Sequence, residues 1–349
     1  MSYSQSVQNK SDHLKSGIDR HKGVREAALI GVIRQRAASA IRGHAGLRLG
    51  IGDDCALLGQ FPGEELAITT DLSIAGRHFT LDRHPPESIG HRTLARGLSD
   101  LAAVGARPLA AFLSLGLPRE LVRPLNSRSL SWMSRFMDGL LELAAAHRTP
   151  LAGGDLAESP LAVADIVLVG AVPRGKALLR SGARPGDLLC VTGALGGAAA
   201  AFAQLKSLSG KVSRRPEESL APHFYPQPRI AQGLWLRRRG LATAAIDLSD
   251  GLSTDLGHIC AESGVAAEVD ASALPLHASA SLDQALHGGE DYELLFTARP
   301  SVRLPRSIAG VPVTRIGRIV KRATGRPAVT LLTAQGPKGL EPRGWEHFA

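Results

Sequence analysis

The stretch Ala242–Glu262, ATAAIDLSDGLSTDLGHICAE, decides how the chain folds. Its first six residues are small or β-prone and end on a carboxylate, so a short buried strand is predicted over Ala242–Asp247. Ser249, Asp250 and Gly251 are turn residues. A helix is predicted from about Ser253 to Glu262. A strand, an acidic glycine turn and a helix form the repeating unit of α/β proteins, whose ligands gather at strand ends.

The same alternation runs outward in both directions. Downstream, Glu293–Thr297 reads as a strand. Upstream, Leu188–Val191 is a strand, and Gly193–Ala203 is a glycine turn entering a helix. Further upstream, Ile166–Val172, Leu151–Gly154, Leu109–Leu117 and Leu66–Thr70 read as strands. Leu130–His147 reads as a helix, and so does Glu87–Val104, where Ile89, Leu94, Leu98, Leu101 and Val104 recur at helical spacing behind Pro85-Pro86. A helical pattern also starts at Val24. Residues 1–22 read as a polar, disordered tail, and Lys206–Ser219 as a basic surface insertion. The expected class is α/β (α+β), with mixed sheets and flanking helices. The 349 residues exceed what one core holds, roughly 250–300 residues, so domains are expected over 23–172 and 173–349.

Composition narrows the function. The net charge of +9 comes from scattered arginines and two stretches, Lys10–Arg25 and Lys206–Arg215. Neither interleaves aromatics, as a single-strand binder would need, so no nucleic-acid partner is expected. Cys55, Cys190 and Cys260 lack the spacing of a disulfide framework or a zinc site, which fits a reducing cytoplasm. No apolar run is long enough to span a membrane, and no secretory leader is visible. No P-loop, nucleophile elbow or dinucleotide fingerprint occurs.

Acidic residues in glycine-rich, apolar settings are the informative feature. They are Asp53 and Asp54 in GIGDD, Asp71 in TTD, Asp100 in LSD, Asp155 in GGD, and Asp247 and Asp250 in IDLSDG. Any one of them could be an ordinary turn. Five such sites together point to a hard cation held by oxygen ligands, magnesium above all, with Thr69 and Thr70 as further donors. His78, seven residues after Asp71, is the histidine singled out.

These motifs coincide with a known family. GIGDDCALL (50–58), TTDLSIAGRHF (69–79), LSDLAAVGARP (98–108), AGGD (152–155), RSGARPGD (180–187), IDLSDGLSTDLGHI (246–259), GGEDYEL (288–294) and GWEHF (344–348) resemble, in order, those of the bacterial thiamine-monophosphate kinases. These enzymes belong to the superfamily of aminoimidazole ribonucleotide synthetase. The resemblance spans roughly residues 24–348. It implies a two-domain synthetase-like fold, a homodimer, and direct in-line transfer from ATP to thiamine phosphate. It further implies magnesium on Asp54, Thr69, Thr70, Asp71, Asp100, Asp155, Asp247 and Asp250. ATP would meet Gly154, Asp155, Arg180 and Ser249, and thiamine phosphate would meet His78, Glu290 and Trp345. No general base is expected. The chain departs from the family at Leu156, where Thr is common, at Gly97, where Asn is usual, and at Arg77, where a neutral residue is usual. The synthetase itself, a selenophosphate synthetase, a hydrogenase-maturation protein, a non-catalytic nucleotide sensor and a basic nucleic-acid module are the other readings.

Overall fold

The computed structural model describes residues 47–49, 56–122, 131–208 and 217–345, with backbone alone for 47–49 and 56–61. The described residues all fall in one compact unit. The expectations for the 1–22 tail, the helix from Val24, Asp54, Cys55, the middle of the 206–219 insertion and the last four residues lie outside the described residues.

The first half builds a six-stranded sheet. Its strands are β1 (Leu47–Leu49), β2 (Ala56–Phe61), β3 (Glu64–Ile74), β4 (Arg107–Leu117), β5 (Leu151–Glu158) and β6 (Val163–Pro173), in spatial order β1-β2-β3-β6-β4-β5. β3 and β6 pair antiparallel over their full length, from Glu64↔Pro173 to Ile74↔Val163. β4 and β5 run parallel. A parallel pair needs a crossover, and helix α2 (Trp132–Ala146) supplies it, its first turn capped by the Ser131 hydroxyl, which accepts from Ser134 N. Period-two alternation gives this sheet two different faces. Ala67, Thr69, Ala111, Leu113, Leu115, Ile166 and Leu168 are buried on one. Thr70, Leu72, Phe112 and Ser114 are exposed on the other.

The second half builds a sheet from β7 (Leu188–Thr192), β8 (Ala242–Asp247), β9 (Ala266–Asp270), β10 (Leu294–Ala298), β11 (Ser307–Ile308), β12 (Val311–Val320), β13 (Val329–Thr333) and β14 (Gly336–Gly339). The order is β14-β13-β9-β12-β7-β10-β8, with β11 on β12. β10 is buried throughout, and its alternate residues serve two cores. Leu294 and Phe296 join Cys190 and Ala245 on one side, and Leu295 joins Val191, Ile246 and Leu256 on the other. Around this sheet stand α3 (Gly197–Ser207), α4 (Ala221–Phe224), α5 (Ile230–Arg239), α6 (Leu252–Ser263) and α7 (Leu282–His287).

Helix α1 (Pro86–Ala103) is the centre of the unit. Proline at its first turn suits a segment whose leading N–H groups have no intrahelical partner. Its contacts reach α2, α5, β3, β6 and β8. Two glycines let α1 and α2 touch backbone to backbone. A Cβ on Gly90 would lie 1.9 Å from the Phe136 carbonyl oxygen, and one on Gly139 1.9 Å from that of Glu87. Gly97 also has a reason in this chain, because a Cβ there would stand 2.6 Å from Leu168 Cδ1.

Cys190 and Cys260 lie in the cores with no exposed surface, and burial pushes both thiols up to about 12. The thiolate is the reactive form. Both thiols are therefore expected to resist a thiol reagent in the native protein at neutral pH and to react only in denaturant. Stoichiometric labelling of either under native conditions, located by peptide mass spectrometry, would contradict this burial.

Candidate active site

One face of α1 carries Arg92, Arg96, Ser99 and Asp100, at the three- and four-residue spacings that stack side chains together. Together they reach β3, the end of β8 and the 288–293 loop. Arg96 Nη2 pairs with Asp71 Oδ1 on β3 at 3.2 Å. Asp100 accepts a short hydrogen bond from the Thr69 hydroxyl. Ser99 Oγ donates to Asp247 Oδ2, at the end of β8, at 2.5 Å. Arg92, nearly buried, donates to Glu290. Burial raises the Asp71 carboxyl above its ordinary range, against the opposing pull of Arg96.

Arg92 also orders two histidines. A guanidinium can only donate, so at 2.6 Å His223 Nε2 accepts from Arg92, and Nδ1–H is left to face Glu290 Oε2 at 3.2 Å. His84 Nδ1 accepts from Thr80 N, and its Nε2 lies 3.1 Å from His223 Nε2. Both rings are neutral in this network. Burial first, and then the Arg92 charge, brings His223 down to about 4 and His84 to about 3. Burial alone would raise the Glu290 carboxyl, but Arg92 and His223 outweigh it and hold the group well below the carboxylate range.

The turn after β8 and the 288–293 loop are laced together. Leu248 N donates to Glu293 O at 2.8 Å, Tyr292 N to Leu248 O at 2.9 Å, and Glu290 N to Ser249 O at 2.8 Å. Gly289 is required there, since its Cβ would lie 2.2 Å from Ser249 O. Glu290 and Tyr292 adopt left-handed backbone, φ 66° and 50°, which only a well-determined loop tolerates. In the first turn of α6, Asp255 Oδ2 accepts from Asp250 N and Gly251 N at 3.2 and 3.0 Å. Ligand atoms of Asp250, Asp255 and His258 lie within 4.8 Å of one another. Burial, then the charges of Asp250 and Asp247, raise Asp255 well above the usual carboxylate range, and Arg180 is close enough to oppose this. Trp345 N donates to Asp250 O at 3.2 Å, while 52% of the Trp345 surface is exposed.

The structure thus brings Thr69, Asp71 and Asp100 together, and Asp247, Asp250 and Arg180 together, and α1 joins the two groups. Ser249 meets Glu290 through its backbone. His78 Nδ1 accepts from Ile74 N at 3.0 Å, and His78 shares a cavity of about 10 Å³ with Arg92 and Arg96. That is space for about one water. Three expected residues stand apart. Thr70 points to the opposite face of β3 from Thr69 and Asp71, so its hydroxyl does not join theirs. Gly154 lies in one row with Asp71 across Ile166 and Leu113, three strands away. At about 4.8 Å per strand that is roughly 14 Å. Asp155, next to it, is exposed on the edge strand and accepts from Leu156 N, at 2.9 Å. Gly154 also meets a packing need, because a Cβ there would lie 1.8 Å from Leu113 O.

Residues 52–172 match the family model of the AIR synthase related protein N-terminal domain, and 184–329 that of its C-terminal domain. The thiamine-monophosphate kinase of Escherichia coli K12 is 40% identical over 316 residues, 87% of this chain and 93% of that protein. The chain belongs to the thiamine-monophosphate kinases of the AIR synthase related family. Among solved structures, AaThiL complexed with AMPPCP and TMP has a TM-score of 0.77 at 29% identity, with 93% of this chain and 97% of that one covered. The thiamine-monophosphate kinase from Stenotrophomonas maltophilia has a TM-score of 0.68 at 39% identity, with 89% and 98% covered. The mixed sheets with flanking helices expected from sequence are the fold of this kinase family. Sequence reading found Asp100 but missed Arg92, Arg96 and Ser99. Their signal was a polar stripe at i, i+4 and i+7 along the helix that carries Ile89, Leu94, Leu98 and Leu101. His223 and Asp255 carried no comparable signal.

Proposed function

We propose that the chain transfers the γ-phosphoryl group of ATP to the phosphate of thiamine phosphate, giving ADP and thiamine diphosphate. In the transfer, the bond from the γ-phosphorus to the bridging oxygen breaks, and a new one forms to an oxygen of thiamine phosphate. The observation that carries this reading is the convergence of two carboxylate groups on α1, with Glu290 and Trp345 against the same turns. The relation to AaThiL, bound to an ATP analogue and TMP, supports the substrate pair.

The donor set fits magnesium, a cation that takes oxygen ligands and shares them with phosphates. Asp71, Asp100, Asp247 and Asp250, with Thr69, are the described residues we assign to it, and crowding of Asp247, Asp250 and Asp255 leaves negative charge for a cation to offset. Bound magnesium would neutralise phosphate charge as it shifts between the oxygens. Arg180 and Ser249 are assigned to ATP, and His78, Glu290 and Trp345 to thiamine phosphate. No side chain is assigned as general base, since a phosphate monoester with a second pKa near ~6 is already ionised at neutral pH.

We further propose a homodimer built on residues 23–172, with 173–349 completing each cleft. The exposed Leu72 and Phe112 on the open face of the first sheet support a partner there. A second copy would also give Asp155, remote from Asp71 in its own chain, a site to serve. Among the described residues no helix is long and apolar enough to cross a membrane. Two buried free thiols suit the cytoplasm.

The reading is tested by incubation with ATP, magnesium and thiamine phosphate and chromatography for thiamine diphosphate. Product should require all three, and thiamine itself should be a poor acceptor. Equal turnover of thiamine and thiamine phosphate would overturn it. Trp345→Ala should weaken thiamine phosphate binding about 3- to 30-fold, the loss of an aromatic face worth ~0.5–2 kcal/mol to a cationic ring. ATP affinity and melting temperature should hold, because this side chain is half exposed. Calorimetric titration of each substrate checks it, and parallel weakening of both would count against ring stacking.

A further inference from the structure

β8 and β10 have a second pair of ends, away from Asp247 and Glu290. There, where Ala242 pairs with Ala298, the chain forms a cavity of about 420 Å³. Gly182, Arg184, Gly240, Thr243, Arg299 and Ser301 line it. Its volume falls in the range of small-molecule sites, about 300–1,000 Å³. Arg184 and Arg299 are both exposed, and among the described residues neither guanidinium has an acceptor or an ion-pair partner. The nearby carboxylate does not offset them. Asp187 is buried and turned inward, where it accepts from Thr243 Oγ1 at 2.7 Å and from Arg184 N at 3.0 Å. Arg238 and Arg239, just before Gly240, add positive charge at the rim, though the C-terminal end of α5 is reason enough for them. No such reason applies to Arg184 and Arg299.

We propose that this cavity is a second ligand site, separate from the active site, for a phosphate monoester with an organic body. Two unpaired guanidinium groups match the charge of a phosphate monoester, about −1.5 to −2 at neutral pH. Their planar forks suit its oxygens. Gly182 and Gly240, at φ 120° and 61°, leave two stretches of wall without side chains, and a Cβ on Gly240 would meet nothing within 4 Å. The volume exceeds that of a lone phosphate ion, so the remainder takes the organic body, against Leu241 and Val302.

The test uses the full chain with AMPPCP and thiamine phosphate held at saturation, titrated calorimetrically with uridine monophosphate and, separately, with inorganic phosphate. Saturable binding of the nucleotide is expected, weakened at least about tenfold in the Arg184→Ala/Arg299→Ala double variant, since hydrogen bonds to charged groups are lost. Turnover should stay as in the parent chain. Nucleotide binding without phosphate binding assigns the site to the whole molecule, and equal binding of both assigns it to the phosphate group alone. No saturable binding by the parent chain at millimolar nucleotide, or equal affinity in the double variant, overturns the proposal. A second readout needs no variant. Nucleotide should slow phenylglyoxal modification of Arg184 and Arg299 in the parent chain, mapped by peptide mass spectrometry, and unchanged modification also overturns it. None of these outcomes bears on the kinase reading, which has its own assay.

Discussion

The Asp250→Asn variant is expected to turn over thiamine phosphate about 100- to 1,000-fold more slowly than the parent chain at saturating magnesium, with its fold intact. Two backbone contacts tie Asp250 into the fold. Its N–H reaches Asp255 and its carbonyl accepts from Trp345 N. Asparagine keeps both and keeps the side-chain size. The substitution removes a negative charge from a crowded set, in which Asp250 raises the pKa of the buried Asp255. Relief of that crowding should keep the melting temperature near the parent's while activity falls. A residue kept for stability would do the reverse. Turnover within tenfold of the parent would sink the assignment. Asp71→Asn is the weaker probe, because it also leaves Arg96 short of its partner.

Arg92→Ala should cost about 3–5 kcal/mol of stability, the range for removing one member of a buried ion pair. Urea unfolding measures it, and a loss under about 1 kcal/mol would show the pair to be dispensable. The pH dependence has a definite sign. His223 and His84 titrate at about 4 and 3 in the folded chain, below the ordinary 6.5. Between those values the unfolded chain binds more protons, so this stability is present above about pH 6.5 and is lost as pH falls toward 4. Glu290, also held low, loses its contribution on the same acid side. After burial, Arg92 is the leading cause of the depressed values at both rings, so its removal should flatten the acid limb of the stability curve. An unchanged slope between pH 6.5 and 4 would show that Arg92 does not govern these rings.

Much of this fold was legible because the signals were local. Ala242–Asp247 was read with its true ends, and Glu87–Val104 differs from α1 by one residue at each end. β12 was missed because VPVTRIGRIV carries a proline and a glycine, which read as breakers. Helix α5 was also missed, with a basic end in place of an apolar stripe. In the candidate site, Asp71, Asp100, Asp247 and Asp250 could be singled out from sequence because carboxylates beside glycine and apolar strands need a reason. Arg92 and Arg96 were not, because a basic residue on a helix reads as solvated until the segments around it are known. Thr70 does not join Thr69 and Asp71 for a plain cause: adjacent residues of a strand face opposite ways.

The shared face of α1 has a consequence for which sequences this fold can accept. Arg92, Arg96, Ser99 and Asp100 reach three separate segments from fixed angular positions. One residue inserted between Arg92 and Ser99 would rotate everything beyond it by about 100°. Ser99 and Asp100 would turn away from Asp247 and Thr69 while Arg92 kept Glu290. Even seven added residues, which nearly restore the angle, would carry the later pair about 10 Å along the axis. Point substitutions along this helix can be graded, but changes in its length cannot. Related chains that keep this chemistry should vary in length almost anywhere except between these residues.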